Sequence, residues 1–184
     1  MERFPRLTPE TMTPAQREVA AEISAGPRGE VRGPFIALLH NAELARRMQA
    51  LGEHLRWSNR LPPALLELAV LYAARRWNCQ HEWYMHEKLA RKAGLAPGIV
   101  DDLAAGREPR GLPPDEAMIY KACQQAHQTG RLDDETFAAL RGRFGLDGVL
   151  DLLVLNGYYS AMAMVLNTAG MPLPDNAAAP LNPL

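Results

Sequence analysis

Prolines divide this sequence into segments in which apolar residues recur every three or four positions. Proline is favoured in the first turn of a helix and is excluded from the helix interior. Such segments open at Pro14, Pro34, Pro63, Pro97 and Pro114. No segment of useful length alternates between apolar and polar residues, which is the pattern of a half-buried strand. The sequence therefore predicts an all-α fold.

Capping residues indicate where the helices begin and end. We expect Thr13 to cap a first helix that stops before Gly26, and Gly33 to precede a short second helix. A third helix is predicted over residues 42–55, with four residues on one apolar face: Leu44, Met48, Leu51 and Leu55. Later helices are predicted over 96–103, 114–130, 132–144 and 148–169.

The longest apolar helical pattern follows Pro63 and covers about 30 residues, which is long for one helix of a globular protein. A break near Trp77-Asn78 is therefore expected. Glu67–Leu71 resembles Asp151–Leu155, and each opens a long apolar helix. The match indicates either an internally duplicated helical unit or the general similarity of buried helices.

The length of 184 residues and the distribution of prolines suggest one domain with two extended ends. We assign residues 15–170 to a single all-α domain and residues 1–14 to an extended N-terminal arm. Residues 171–184 form a Pro-rich tail, which we expect to be disordered or to lie on the surface.

Charge and composition argue against several classes of partner. The 20 basic and 21 acidic side chains nearly balance, which removes the electrostatic case for nucleic-acid binding. The longest apolar stretch, Leu61–Ala74, contains Glu67 and is shorter than the roughly 20 residues that cross a bilayer, so no membrane segment is expected. The first ten residues lack the apolar core of a signal peptide, and two cysteines suit a reducing compartment. We expect a cytoplasmic protein with free thiols.

Three residues that can carry chemistry share one predicted helix face: Cys79, Glu82 and His86. Arg75 falls on the same stripe if the helix is continuous. A thiol, a carboxylate, an imidazole and a guanidinium on one face can supply a nucleophile, an acid/base pair and an anion clamp. The alternative is a solvated polar face held by ordinary pairs such as Glu82 with His86.

Glu67 is a single carboxylate among leucines and valine. A buried carboxylate must be paired, and such groups concentrate at functional sites; the alternative is a solvent-facing turn of an amphipathic helix. In one straight helix Glu67 and Cys79 would lie about 18 Å apart along the axis, but a break near Asn78 would let them meet. The same break would place Cys79 at a helix N-terminus, where the helix dipole favours a thiolate.

The order E-x11-C-x2-E-x3-H, formed by Glu67, Cys79, Glu82 and His86, resembles the carboxymuconolactone decarboxylase and alkyl hydroperoxidase D (AhpD-like) family. The resemblance is strongest over residues 60–105 and extends loosely to 32–41 and 152–167. It implies an AhpD-like helical bundle that assembles as a homo-oligomer, with dimers, trimers and hexamers all open.

The motif departs from the hydroperoxidase branch of this family at one position. That branch reads E-x11-C-x2-C-x3-H and uses a redox cysteine pair, whereas this chain has Glu82 in place of the second cysteine. Cys123 could replace it only if the fold brings it close. The decarboxylase branch is similar to this sequence in its Glu and His, which correspond to Glu82 and His86.

The resemblance leads to one main hypothesis and two alternatives. The leading one is a decarboxylase-like lyase acting on a small carboxylated lactone or related organic acid, in which His86 exchanges the proton, Glu82 orients it and Glu67 supports them. A substrate carboxylate would be held by Arg75 or Arg76. The alternatives are a thiol peroxidase-like oxidoreductase, which reduces a hydroperoxide through Cys79 and an external thiol, and a non-catalytic helical oligomeric binding protein.

Two further residues are candidate substrate contacts: Trp83, which flanks the motif, and His40, at a helix end. Both have ordinary explanations, as a core aromatic and a capping residue. No metal or cofactor is expected, since His81 and His86 are poorly spaced to share a helix face and no Gly-rich phosphate loop occurs. Tyr158 and Tyr159 are interpreted as core residues more readily than as a pocket wall.

Overall fold

The computed structural model describes residues 3–174 and 177–183. Over these residues the chain forms eight helices and no strand, which confirms the predicted all-α fold. The helices are α1 (Pro14–Ala25), α2 (Pro34–Leu38), α3 (Ala42–Trp57), α4 (Pro63–Arg76), α5 (Gln80–Lys92), α6 (Pro97–Ala104), α7 (Pro114–Thr129) and α8 (Asp134–Ala169).

Capping residues determine several helix boundaries. Thr13 and Gln16 form a reciprocal capping box at the start of α1, and Asn41 accepts a hydrogen bond from the backbone of Leu44 at the start of α3. Gly130 ends α7 in the left-handed conformation. The two helices predicted over 132–144 and 148–169 are joined in α8, with a kink at Gly145, where φ is 72°.

Helices α4 and α5 are separated by the predicted break. Asn78 has φ 47°, a left-handed conformation in which asparagine is one of the few tolerated side chains. Its side-chain oxygen accepts a hydrogen bond of 2.8 Å from Arg75 Nη1, which fixes the turn. Cys79 then caps α5, so the chain reverses within three residues and α5 packs against α4.

Helix α4 lies at the centre of the core. Ten of its fourteen residues are buried, and it packs against α5, α6, α7 and α8. Two of the ten are charged, Glu67 and Arg75. Because burial of a charge is costly unless it is compensated, both residues require partners on neighbouring elements.

The buried face of α3 differs in part from the predicted one, since Leu55 is buried and Met48 packs against the core as expected. Leu44 and Leu51 are 45% and 37% exposed, whereas the buried residues of this helix are Ala45, Gln49, Gly52 and Leu55. Small residues allow α3 to approach Tyr158 of α8 closely: a Cβ atom at Gly52 would collide with the Tyr158 hydroxyl. The prediction followed hydrophobicity, but close packing against α8 selected small side chains.

Both ends of the chain are attached to the helices. In the arm, the backbone oxygen of Pro5 is 2.9 Å from His40 Nε2, and Arg3 donates to the Thr168 carbonyl. In the tail, Leu181 is buried in the main core, and Gln80 forms two 2.9 Å hydrogen bonds with its backbone. This part of the predicted surface or disordered tail is therefore a packed segment. The parts of the arm and tail at residues 1–2, 175–176 and 184 lie outside the described residues.

Helix α8 is long and apolar enough to satisfy the length and composition criteria for a membrane-spanning helix. In this fold 61% of its most apolar window is buried within the protein, where it packs against α2, α3, α4 and α7. The burial of α8 in the core therefore explains its high hydropathy, as it does for many buried helices.

Candidate active site

Three of the predicted residues meet where α4 packs on α5. His86 Nδ1 donates a hydrogen bond of 2.7 Å to Glu67 Oε2, and His86 Nε2 lies 3.3 Å from Glu82 Oε2. All three are buried, with between 3% and 7% of each residue exposed. We call Glu67, Glu82 and His86 the carboxylate–imidazole cluster.

Helical spacing explains how the cluster forms. Glu67 lies in the second turn of α4, and Glu82 and His86 are four residues apart on α5, so both face α4. Glu82 is in the first turn of α5, where the helix dipole favours a negative charge. The turn at Asn78 is what allows a residue of α4 to reach the imidazole.

The two carboxylates determine the protonation of His86. Burial alone would lower the pKa of His86 because it disfavours the charged imidazolium. The charge and hydrogen bond of Glu67, together with Glu82, outweigh burial and raise the pKa above its ordinary value. His86 is therefore held towards its protonated form between two acceptors, as a group that can bind and release a proton.

Two tyrosines of α8 enclose the cluster. The ring of Tyr159 meets His86 edge-on, with centroids 5.0 Å apart and an interplanar angle of 86°, and Tyr158 packs against Tyr159. Burial raises the pKa of Tyr159 well above its ordinary value and that of Tyr158 to about 12. Both hydroxyls therefore remain protonated at neutral pH.

Arg28, from the loop between α1 and α2, adds a positive charge near the carboxylate–imidazole cluster. Its guanidinium lies over the Phe35 ring at 4.4 Å, and its Nε donates to Gln49. Its Nη2 is buried and forms no well-formed hydrogen bond within the described part of the chain. Burial lowers the pKa of Arg28, while Tyr158 and Glu82 oppose that shift. Arg28 was not among the predicted site residues, and its position in a Gly- and Pro-containing loop is the one signal that the sequence gives.

Cys79 lies beside the cluster but is not a thiolate. It is fully buried against Ala163 and Leu166 of α8, and burial raises the pKa of its thiol to about 12. Backbone N–H groups at the start of α5 act in the opposite direction, while Glu82 adds to the rise. The expectation that the helix dipole would favour a thiolate is therefore wrong, because loss of hydration is the larger effect.

Cys123 does not approach Cys79 as a resolving thiol. It packs in the main core on α7, where Asn156 Nδ2 lies 3.5 Å from its sulfur, and both cysteines are free. Burial raises the pKa of Cys123 to about 12 as well. The structure thus offers no second cysteine at the site.

The four predicted substrate-binding residues lie apart from the cluster's polar atoms. The helix is not continuous, so Arg75 does not share a stripe with Cys79; it faces a separate cavity, together with Arg76. Trp83 is a core residue that donates to Glu87. His40 is exposed and contacts Pro5 in the arm.

Over residues 3–174 and 177–183 no group of three or more His, Cys, Asp or Glu side chains is arranged to hold a metal ion.

Comparison with known proteins identifies part of the chain. Residues 42–122 match the family model described as "Carboxymuconolactone decarboxylase family". The match covers 81 of the 184 residues, which is less than half of the chain. The matched region contains the whole motif from Glu67 to His86, so the resemblance drawn from the motif is confirmed.

The region that matches this family model is part of a fold that extends over most of the chain. A crystal structure from Ralstonia eutropha JMP134, described as an alkylhydroperoxidase AhpD core and an uncharacterized peroxidase-related protein, superimposes with a TM-score of 0.74. It is 20% identical, and the alignment covers 94% of this chain and 92% of that one. This confirms the AhpD-like helical fold. No match to a curated protein was found.

Proposed function

We propose that this protein is an acid/base decarboxylase acting on a small carboxylated lactone or related organic acid. The observation that supports it is the position of His86 between Glu67 at 2.7 Å and Glu82 at 3.3 Å in a buried site. A histidine held in this way can deliver one proton at a defined atom, which is what decarboxylation requires after CO2 leaves.

The proposed reaction transfers a single proton. The bond between the substrate carbon and its carboxylate breaks, CO2 departs, and the electron pair remains on carbon as an enolate-like carbanion. His86 Nε2 gives its proton to that carbon, and solvent returns a proton to the imidazole. Glu67 keeps Nδ1 in place throughout, and Glu82, at the longer distance, is the contact that the substrate displaces.

Charge balance supports Arg28 as the group that holds the substrate. Two carboxylates and one imidazolium give the cluster a net negative charge, which would repel an organic acid. Arg28 offsets it, and its buried Nη2 provides a donor for a carboxylate. Because the cluster is closed to solvent, entry of the substrate requires a neighbour to move, and Arg28 lies in a loop. In this proposal Arg28 takes the role first given to Arg75 or Arg76.

The thiol peroxidase hypothesis receives less support. Peroxide reduction needs a thiolate, whereas the Cys79 thiol is buried with its pKa raised to about 12. The position that holds a second cysteine in the hydroperoxidase branch is Glu82, a partner of His86. These features favour proton transfer over redox chemistry at this site.

Release of CO2 from a panel of carboxylated lactones and β-keto acids tests the proposal. We expect turnover by the wild-type protein and a loss of about 10²–10⁴-fold in the His86→Gln variant, the usual contribution of a general acid. Glu87→Gln, on the same helix but outside the cluster, is the matched control and should retain activity. Turnover that survives in His86→Gln, or hydroperoxide reduction that disappears in Cys79→Ser, would contradict the assignment. A stable protein with neither activity would support the non-catalytic alternative.

A further inference from the structure

A cavity separate from the cluster lies beside α4. It has a volume of about 250 Å³ and is bordered by Tyr72, Arg75 and Arg76 of α4, Gly106 and Arg107 after α6, and Tyr120 of α7. We call it the arginine cleft. Glu67 and Arg75 are eight residues apart, or about 12 Å along the helix axis, so the cleft and the cluster are separate sites.

Arg75 is a buried cation without a countercharge among the described residues. Only 8% of it is exposed, and its Nη1 donates to two neutral oxygens, Asn78 Oδ1 at 2.8 Å and the Asn182 carbonyl at 2.9 Å. Its Nε is buried and unpartnered within that part of the chain. A buried guanidinium in this state is costly, and an anion that bound to it would recover the lost interactions.

The space for Arg75 depends on Gly106. This glycine has φ +70°, and a Cβ atom there would lie 3.1 Å from Arg75 Nη2. A side chain at position 106 would therefore crowd the guanidinium and strain the backbone. The bend after α6 thus leaves the Arg75 guanidinium facing the cavity.

The charge around the cleft is positive on balance. Arg107 pairs with Asp102 at 2.7 Å, and Glu108 lies close enough to Tyr120 to help burial raise the pKa of that hydroxyl. Arg76 lies over the Trp77 ring at 5.8 Å and has no carboxylate partner in the described residues. Three guanidinium groups thus face two carboxylates, and at least Arg75 and Arg76 are available to an anion.

The remaining walls are apolar. Tyr72 and Tyr120 meet edge to face with centroids 5.4 Å apart, and Leu103 completes the wall. The cavity is smaller than the roughly 300–1,000 Å³ of sites for drug-sized ligands. We propose that the arginine cleft binds a small organic anion, whose carboxylate or phosphate contacts Arg75 and Arg76 and whose apolar part lies against the two tyrosine rings.

Calorimetric titration of the full chain with benzoate, acetate and inorganic phosphate tests this proposal. We expect benzoate to bind at one site, and more tightly than either acetate or phosphate, because only benzoate carries both an anionic group and a ring. Affinity should fall about tenfold or more in Arg76→Gln, since this change removes a charged donor that contacts the anion. Arg76 is exposed at the edge of the cleft, so this variant should not unfold the protein.

Two control variants test whether benzoate binds at the arginine cleft. Arg131→Gln removes an exposed arginine outside the cleft and should leave benzoate affinity unchanged. Arg28→Gln should also leave it unchanged, because Arg28 belongs to the other site. Benzoate binding no tighter than that of acetate, equal binding in all variants, or loss in Arg28→Gln alone would overturn the proposal. Trp77, next to Arg76, provides a second readout, since its fluorescence should change only when the cleft is filled.

Discussion

Glu67→Gln should destabilise the protein in a way that depends on pH. The substitution keeps the size of the side chain and an acceptor for His86 Nδ1, but it removes the charge 2.7 Å from the imidazole. Removing one partner of a buried ion pair costs about 3–5 kcal/mol, and the retained hydrogen bond reduces this to about 2–3 kcal/mol. For a protein of this length the melting temperature should fall by roughly 4–12 °C.

The sign of the pH dependence follows from the raised pKa of His86. A group that binds its proton more tightly when folded stabilises the native state fully below its unfolded pKa of about 6.5, and this contribution is lost as pH rises through the folded value. Glu67 is the main cause of that rise, so the stability gap between wild type and Glu67→Gln should be largest near about pH 6 and should narrow towards about pH 9.

Urea unfolding followed by helical circular dichroism at both pH values measures this gap. Glu87→Gln, on the partly exposed side of α5, is the control and should leave the pH dependence of the wild type intact. If Glu67→Gln has the stability of the wild type, or if the gap grows as pH rises, the reasoning about the cluster is refuted.

Three further results are expected. Leu181→Ala should lower the free energy of unfolding by about 2–3 kcal/mol, measured in urea, because its side chain is buried in the core; no change would show that the tail is not packed. Asn78→Val should cost roughly 1–3 kcal/mol more than Asn78→Gly, since a β-branched residue is strained at φ 47°, and equal stability of the two would contradict the turn geometry. Cys79 should resist iodoacetamide at about pH 8 until urea unfolds the protein, as monitored by intact mass, and rapid labelling of the native state would contradict the raised pKa of about 12.

Much of the fold was predictable because local signals determine it. Caps such as Thr13 and the break near Asn78 follow from short-range preferences of the backbone, which the sequence displays directly. The same break made it possible to predict that Glu67 of α4 would reach the motif on α5. The partner it reaches is His86, one turn beyond Glu82, and helical spacing alone could not distinguish these contacts.

Other features depend on tertiary contacts that leave no local pattern. Arg28 comes from a loop without periodicity, and its approach to the cluster is determined by how α1, α2 and α3 pack. The protonation of the Cys79 thiol depends on whether the helix dipole or burial has the larger effect on its pKa. The extent of burial is known only from the structure. The buried face of α3 was mispredicted because proximity to α8 outweighed hydrophobicity at positions such as Leu51.

The close contact at Gly52 has a consequence for comparative genomics. A Cβ atom there would lie 2.7 Å from Arg28 Nη2 and closer still to the Tyr158 hydroxyl, so a larger residue at position 52 requires these side chains to shift. Arg28 and Tyr158 both lie outside the matched residues 42–122, and a search with that region alone cannot detect them. We therefore expect glycine at position 52 to occur together with arginine at 28 and tyrosine at 158 in relatives that keep this packing. An alanine at position 52 in a homologue should coincide with a different residue at 28 or 158.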